Sequence, residues 1–415
     1  MTVSEENVRS TSMGMIDGIE NPFHFHPWMN ALLHTFKKIR EGQLVVILPD
    51  GIRYQFGNDP ETELIAEIRF FSYEAPKQIL KAGDIGFGES YISGEWESPD
   101  LLSLMRLLLA NEQAFNSGLA ASSFTKLNAL YRRLFKRNNL RNSKKNIEYH
   151  YDLGNDFYSL WLDPTMTYSS AIFEDPEDDL EKAQLRKYTR IGEIAGIKAG
   201  DKVLEIGCGW GGFAEVAADI FKAETTGLTL SKEQLVFAKN RLEGIPSTGQ
   251  ANFLLQDFRE HKGRYDAIVS IEMFEAIGVE NWPRYFKTLH KNLLSGGKAA
   301  VQVITISEDR FDRYKGKQDF IQKHIFPGGF LPTKSAFIEA AEKENLCAKA
   351  CEEFGTDYAL TLNKWHARFL ERWPEINGLG YDETFKRKWE MYLKYCEAGF
   401  LHKTIDVVIF EVSKP

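Results

Sequence analysis

The chain has 415 residues, a formal net charge of −8 at pH 7, 43% hydrophobic and 27% charged residues. Such a length accommodates two domains, and the balance is that of a globular protein rather than a fibrous, disordered or membrane-embedded one. No apolar run approaches a membrane span. The four cysteines, at 208, 347, 351 and 396, form no C-x-x-C pair, so reduced thiols are expected instead of a disulfide framework or zinc ribbon. His24, His26 and His34 lack acidic or thiol partners in sequence, so no metal site is expected.

The polar residues 1–20 read as a disordered tail without a leader peptide, which points to the cytoplasm. From Trp28 to Ile68 a helix and then strands are expected, with Gln43 to Leu48 running into the turn Pro49-Asp50-Gly51. Leucines at 101, 102, 104 and 107 to 109 suit a buried helix. Together these predict a smaller N-terminal α+β domain over residues 21–135, associated with lipid or a membrane surface.

Between Gln113 and Ile147 there is no acidic residue, yet Lys126, Arg132, Arg133, Lys136, Arg137, Arg141, Lys144 and Lys145 fall there. Leu127, Leu130, Tyr131, Leu134 and Phe135 recur among them at helical spacing, so residues 124–136 read as an amphipathic basic helix. The partner expected for basic residues 126–145 is an anionic membrane surface. A solvated connector is the alternative, with 136–147 as the basic linker. Nothing resembles a nucleic-acid module, and no nucleic acid partner is expected.

Beyond the linker, residues 148–415 alternate strands and helices. Strands are expected at 202–206, 223–229, 251–256, 265–271, 298–305, 347–353 and 405–412. This is a doubly wound, seven-stranded α/β sheet of Rossmann-like type. The aromatic-rich segment 361–400 is too long for a connection and is expected to form two helices, a helical lid over the carboxyl edge of the sheet.

The first of these strands ends in Val203-Leu204-Glu205-Ile206-Gly207-Cys208-Gly209-Trp210-Gly211-Gly212. Glycines at 207, 209 and 212 let the backbone approach a nucleotide-like ligand. A dinucleotide site would place an acid at the end of the next strand, but Ala223 to Thr229 has its only acid, Glu224, at the wrong end. Glu205, just before the turn, suits an ammonium group and would repel a pyrophosphate. The turn therefore favours S-adenosylmethionine over NAD. Glu205, Gly207 and Gly209, with Trp210 and Gly211 between and beyond them, are the cofactor candidates of this stretch.

Around the turn stand Tyr149-His150-Tyr151-Asp152-Leu153-Gly154-Asn155-Asp156-Phe157-Tyr158, then Met166-Thr167-Tyr168-Ser169-Ser170, then Gly227-Leu228-Thr229-Leu230-Ser231-Lys232-Glu233-Gln234 and Leu255-Gln256-Asp257-Phe258-Arg259. With these motifs the chain resembles the cyclopropane-fatty-acyl-phospholipid synthase family, from about His150 to the C-terminus and more loosely before it. The resemblance implies a class I methyltransferase fold and a cofactor-contacting pair, Tyr168 and Ser169. It also implies a second cofactor motif with Thr229, Leu230, Ser231 and Gln234 at the ribose. Asp257 and Phe258 would stand at the adenine.

It implies the chemistry too: an acyl-chain double bond attacks the sulfonium methyl, and a base then removes a proton from the resulting cation. In the family that base is thought to be bicarbonate held by a Cys, a Glu, a His and a Tyr. Glu275 in Glu272-Met273-Phe274-Glu275-Ala276-Ile277-Gly278 matches the glutamate, and Tyr358 in Gly355-Thr356-Asp357-Tyr358 matches the tyrosine. Ser170 stands at the cysteine position and Gln302 at the histidine position. Both side chains hydrogen-bond anions, which leaves a bicarbonate site possible, but neither is a base near neutral pH. The expected product is thus a cyclopropane or a methyl-branched chain.

Cys396 matches a cysteine assigned to the active site in the family, with a buried structural thiol as the alternative. Unsaturated phospholipid is the expected substrate, with peripheral attachment to the inner face of the membrane and room for a homo-oligomer. A soluble small-molecule methyltransferase and a catalytically silent relative that binds lipid or cofactor are the competing readings.

Overall fold

A computed structural model describes residues 26–57, 62–116, 153–243 and 251–415. These divide into two compact units, one before and one after residue 120. The tail 1–20, the basic stretch 126–145 and the linker 136–147 lie outside the described residues.

The first unit is α+β. A helix, Pro27–Phe36, precedes strands β1 (Gln43–Ile47), β2 (Arg53–Phe56), β3 (Ile65–Phe70) and β4 (Trp96–Glu97), ordered β2-β1-β3-β4. β1 runs antiparallel to β2 and parallel to β3. The helix Leu101–Ala110 buries Leu101, Leu104, Met105 and Leu107. Asp100 caps it, accepting from the Ser103 amide at 3.0 Å.

In the second unit seven strands form one sheet, ordered β10-β11-β9-β8-β5-β6-β7. They are β5 (Lys202–Ile206), β6 (Glu224–Thr229), β7 (Ala251–Leu255), β8 (Tyr265–Ile271), β9 (Leu293–Ile306), β10 (Cys347–Glu353) and β11 (Ile405–Ser413). All seven fall where the hydrophobic pattern places them, with β9 starting earlier than expected. β5 to β9 are mutually parallel, while β11 runs antiparallel to both β9 and β10. Strands such as β5 and β8 are buried along most of their length because helices cover both faces of a parallel sheet.

The chain leaves β5 toward β6 and β7 and then returns to add β8 on the other side of β5. This reversal opens a crevice at the carboxyl ends of β5 and β8, where doubly wound sheets bind ligands. Glu205 lies at the end of β5 and Glu272 directly after β8.

The helical insert departs from the expected pair over 361–400. It comprises three helices, Gly355–Glu371, Trp373–Gly378 and Glu383–Leu401. The first starts earlier because the Gly355 amide is tied to Asp406 Oδ1 of β11 at 2.9 Å. Pro374 in the first turn of the short helix and Gly380 at φ 100° punctuate the rest. Asp382 starts the last helix, accepting from the Phe385 amide at 2.8 Å.

Candidate active site

At the end of β5 the glycine turn supplies backbone that other residues adopt only under strain. Gly207, Gly209 and Gly211 have φ of 86°, 50° and 86°. A Cβ on Gly209 would meet no atom within 4 Å, so its open face can admit a ligand, whereas one on Gly207 would strike Met273 at 2.9 Å. Glu205 is buried, and burial lifts its carboxyl well above the usual range against the pull of Lys187. Its Oε2 has no hydrogen-bond partner among the described residues. A buried carboxylate oxygen without a partner is costly, and a cationic amino-acid tail would satisfy it. Glu205 and the open glycine backbone are thus chemically suited to a cation such as the amino-acid tail of S-adenosylmethionine.

The segment Thr229 to Gln234, expected at the ribose, is internally bonded. Thr229 Oγ1 donates to Gln234 Oε1 at 2.8 Å, the Ser231 amide donates to Thr229 Oγ1 at 3.1 Å, and Ser231 Oγ accepts from the Gln234 amide at 3.2 Å. Ser231 is thereby the cap of the helix Lys232–Leu242, and all three side chains are held at the carboxyl end of β6. Leu230 beside them is partly exposed.

Asp257 and Phe258, expected at the adenine, stand just after β7 with partners of their own. The Asp257 carboxylate accepts three Arg259 bonds, from the amide at 2.9 Å, Nε at 2.8 Å and Nη2 at 2.6 Å. Phe258 is buried in the main apolar cluster, edge-on to Tyr285 at 5.7 Å. Its ring serves packing, since the loop after β7 turns it inward.

The segment before the helix Leu180–Ala195 is pinned by that helix. Gln184 Nε2 donates to the Ser169 carbonyl and Lys187 Nζ to Ser169 Oγ, both at 2.8 Å. Tyr188 hydroxyl lies 2.7 Å from Thr167 Oγ1. Lys187 is fully buried, which pushes its ammonium down, while Glu272, Asp163 and Glu205 oppose that. Tyr168 faces the insert: its hydroxyl is 2.7 Å from that of Tyr392, and its ring lies 5.3 Å from Trp365. Trp210 donates to Asn155 Oδ1 at 2.7 Å and packs 5.2 Å from Tyr158.

Ser170, Gln302 and Tyr358 do converge, and they converge on Glu272. Glu272 Oε1 accepts from the Ser170 amide at 2.8 Å and from Gln302 Nε2 at 2.7 Å, and Oε2 accepts from the Tyr358 hydroxyl at 2.6 Å. The Glu272 amide in turn donates to the Gln302 carbonyl at 2.9 Å, so strand β9 grips this residue by both main chain and side chain. Glu272 has φ 47°, left-handed backbone that costs a non-glycine residue on the order of 1–3 kcal/mol. The donors hold it there. Part of the residue's surface remains accessible, yet the carboxylate is enclosed enough that burial raises its pKa, opposed by Tyr358, Ser170, Lys187 and Gln302.

Two expected roles change with this geometry. The Ser170 hydroxyl donates to the Ala171 carbonyl at 3.0 Å, and it is the amide of Ser170 that reaches the anion. Glu275 stands outside the cluster, because the turn Phe274–Ala276 carries its side chain toward the Ile304 amide. Burial and the neighbouring Glu272 charge push its carboxyl up to about 8, and its Oε2 lacks a partner among the described residues. The donors that a bicarbonate would need are already engaged by a side chain of the protein, so the residues do not fit that group.

Cys396, in the helix Glu383–Leu401, is enclosed by protein although partly accessible, and burial pushes its thiol up with Asp319 adding to the effect. A thiol held neutral is a poor nucleophile. Around the cluster, Tyr358 stacks on Phe400 at 4.5 Å, and Trp365 lies edge-on to Trp161 at 5.6 Å. Trp389 packs edge-on to Phe157 at 5.2 Å. These buried rings belong to helices of one unit and pack the insert against the helix Asn155–Trp161.

Sequence reasoning passed over Glu272, Lys187 and Thr361, whose Oγ1 accepts the Ala171 amide at 3.1 Å. Glu272 carried a signal: it is an acid immediately beyond a buried strand of a doubly wound sheet. Lys187 carried none, being one cation among many on a helix.

Residues 138–410 match the family model described as mycolic acid cyclopropane synthetase. The chain is 37% identical over 342 residues to the tuberculostearic acid methyltransferase UfaA1 of Mycobacterium tuberculosis, covering 80% of this chain and 79% of that one. It is 36% identical over 345 residues to the cyclopropane-fatty-acyl-phospholipid synthase of Escherichia coli, covering 82% and 86%. Among solved structures it is similar to the mycolic acid cyclopropane synthase CmaA1 complexed with SAH and CTAB, with TM-score 0.61, 30% identity, 65% of this chain and 98% of that chain. With the sheet order, the glycine turn and these matches in agreement, the chain belongs to the mycolic acid cyclopropane synthetase family and is an S-adenosylmethionine-dependent, lipid-modifying methyltransferase.

Proposed function

We propose that the enzyme transfers the cofactor methyl to the double bond of an unsaturated acyl chain in a membrane phospholipid, leaving a cyclopropane or methyl-branched chain. The observation that carries this reading is an anionic cluster set within an aromatic, apolar wall beside the cofactor turn. The π electrons of an alkene form a bond to the sulfonium methyl as the carbon–sulfur bond breaks. That leaves a cation on the chain. Aromatic faces tolerate a cation and exclude the water that would trap it.

Glu205 and the glycine turn would hold the methionine end of the cofactor, and Tyr168 and Ser169 would border its methyl. Lys187 positions Ser169 through the 2.8 Å bond to its hydroxyl. The names of the E. coli and M. tuberculosis relatives, a fatty-acyl-phospholipid synthase and a tuberculostearic acid methyltransferase, support acyl chains as the substrate class. The basic residues between 126 and 145 support attachment to an anionic membrane surface from the cytoplasmic side.

Incubation with vesicles of unsaturated phospholipid and methyl-labelled S-adenosylmethionine tests the reading. Label is expected in the fatty acids released by hydrolysis. Label confined to the head group, or found only on added small-molecule amines, would replace the reading with that of a soluble small-molecule enzyme.

A further inference from the structure

Glu272 occupies the position where the three converging donors point. Ser170 amide, Gln302 side chain and Tyr358 hydroxyl meet its carboxylate at 2.6 to 2.8 Å, and each donates a hydrogen. Two of the three donors have no lone pair to offer in return, so the arrangement suits an ionised carboxylate. Its backbone is held in a left-handed conformation at φ 47° that glycine would adopt freely. A strained residue kept in place by bonds from three separate segments indicates a functional rather than a packing constraint.

We infer that Glu272 is itself the catalytic base, its carboxylate standing where a bound bicarbonate would otherwise be needed, so that the enzyme works without that anion. The inference rests on the acyl-chain reading above. Oε2 accepts from Tyr358 alone among the described residues, which leaves it a lone pair for a proton. In the step, the alkene pair forms a carbon–carbon bond to the methyl, the carbon–sulfur bond breaks, and its electrons stay on sulfur as S-adenosylhomocysteine forms.

The chain cation then loses a proton to Glu272 Oε2. If the proton leaves the delivered methyl, the freed pair closes a cyclopropane. If it leaves a neighbouring carbon, the pair forms an alkene bearing a methyl branch. Either way the sulfonium charge is cancelled by the carboxylate, which becomes an acid and returns its proton to water after product departs. Glu272, Asp163 and Glu205 favour the charged ammonium of buried Lys187, which in turn favours the ionised form of Glu272.

The test uses full-length enzyme, unsaturated phospholipid vesicles and methyl-labelled cofactor in buffer stripped of carbon dioxide, with and without added bicarbonate. Wild-type turnover is expected to be the same in both. Glu272→Gln should lower kcat by roughly 100-fold or more, the usual scale of a lost general base, with calorimetric affinity for S-adenosylmethionine retained as proof of folding. Glu272→Gly, whose backbone accepts the left-handed conformation, should be inactive in stripped buffer and regain turnover when bicarbonate fills the vacated cradle. Wild-type enzyme that stops in stripped buffer, or Glu272→Gln enzyme within about threefold of wild type, would overturn the role of Glu272. Failure of the wild type to label acyl chains in either buffer would instead overturn the acyl-chain reading and the inference built on it.

Discussion

Tyr358 donates its hydroxyl proton to Glu272 Oε2 across 2.6 Å, joining the helical insert to the carboxyl end of β8. Through this bond the insert, which carries most of the aromatic wall, and the sheet, which carries the cofactor turn, share a single charged group. The glycine turn after β5 and the anion after β8 thereby stand at the same carboxyl edge of the sheet, where the strand order reverses.

Replacing Tyr358 with Phe removes that donor and leaves the ring. A hydrogen bond to a charged group contributes about 1.5–3 kcal/mol, so kcat should fall by roughly 10- to 100-fold with cofactor affinity unchanged. Tyr358 favours the ionised form of Glu272, as do Lys187, Gln302 and the Ser170 amide, while the Glu272 charge raises the neighbouring Glu275 carboxyl. Loss of one of these donors raises the Glu272 pKa. The acidic limb of the kcat profile should therefore move to higher pH, and an unmoved limb would detach Tyr358 from the titrating group.

Glu275 predicts a different pH effect, on stability. Its carboxyl is pushed up to about 8 in the folded protein from an ordinary 4.5, so between these pH values the folded state holds a proton that the unfolded chain has released. Stability from this group is full below about pH 4.5 and is lost as pH rises through about 8, a change of at most a few kcal/mol. Glu275→Gln cannot ionise. Urea midpoints of the variant should decline less than those of the wild type between pH 5 and 8, and parallel declines would refute the buried acid.

Gly209 has φ 50° and an open face. A β-branched residue there is strained and projects into the space assigned to the cofactor. Gly209→Val should abolish S-adenosylmethionine binding in calorimetry while far-ultraviolet dichroism stays native. Retained affinity would move the cofactor off the glycine turn.

The architecture of the second unit was legible in the sequence because apolar runs bounded by glycine turns have few readings in an alternating α/β chain. The glycine turn and Glu205 were legible for the same local reason. Glu275 shows where local reading ends: its neighbours match a motif, but the turn after β8 sends its carboxylate to the Ile304 amide and Glu272 inward. Side-chain direction around a left-handed residue depends on backbone that no spacing rule reports. Likewise Ser170 contributes its amide, which every residue possesses, so its side chain was misleading. Asp257 is occupied by Arg259, two residues away, an ion pair that the motif alone did not reveal.

The basic block offers a surface prediction. Gln in place of Arg132, Arg133, Lys136 and Arg137 removes four positive charges, each worth about 1 kcal/mol next to an anionic bilayer. Co-sedimentation with anionic vesicles at low salt should weaken by roughly three orders of magnitude. Wild-type binding should fade at high salt, whereas a variant that sediments like the wild type would exclude this stretch as the membrane contact.

The central claim, methyl transfer to an acyl double bond, is tested most directly by mass spectrometry of fatty acids recovered from two vesicle preparations. One contains monounsaturated and the other fully saturated phospholipid of the same head group, each incubated with the enzyme and S-adenosylmethionine. The monounsaturated chains should gain the mass of one CH₂, and the saturated chains should remain unchanged. Equal gain in both, or no gain in either while the cofactor binds, would contradict the account.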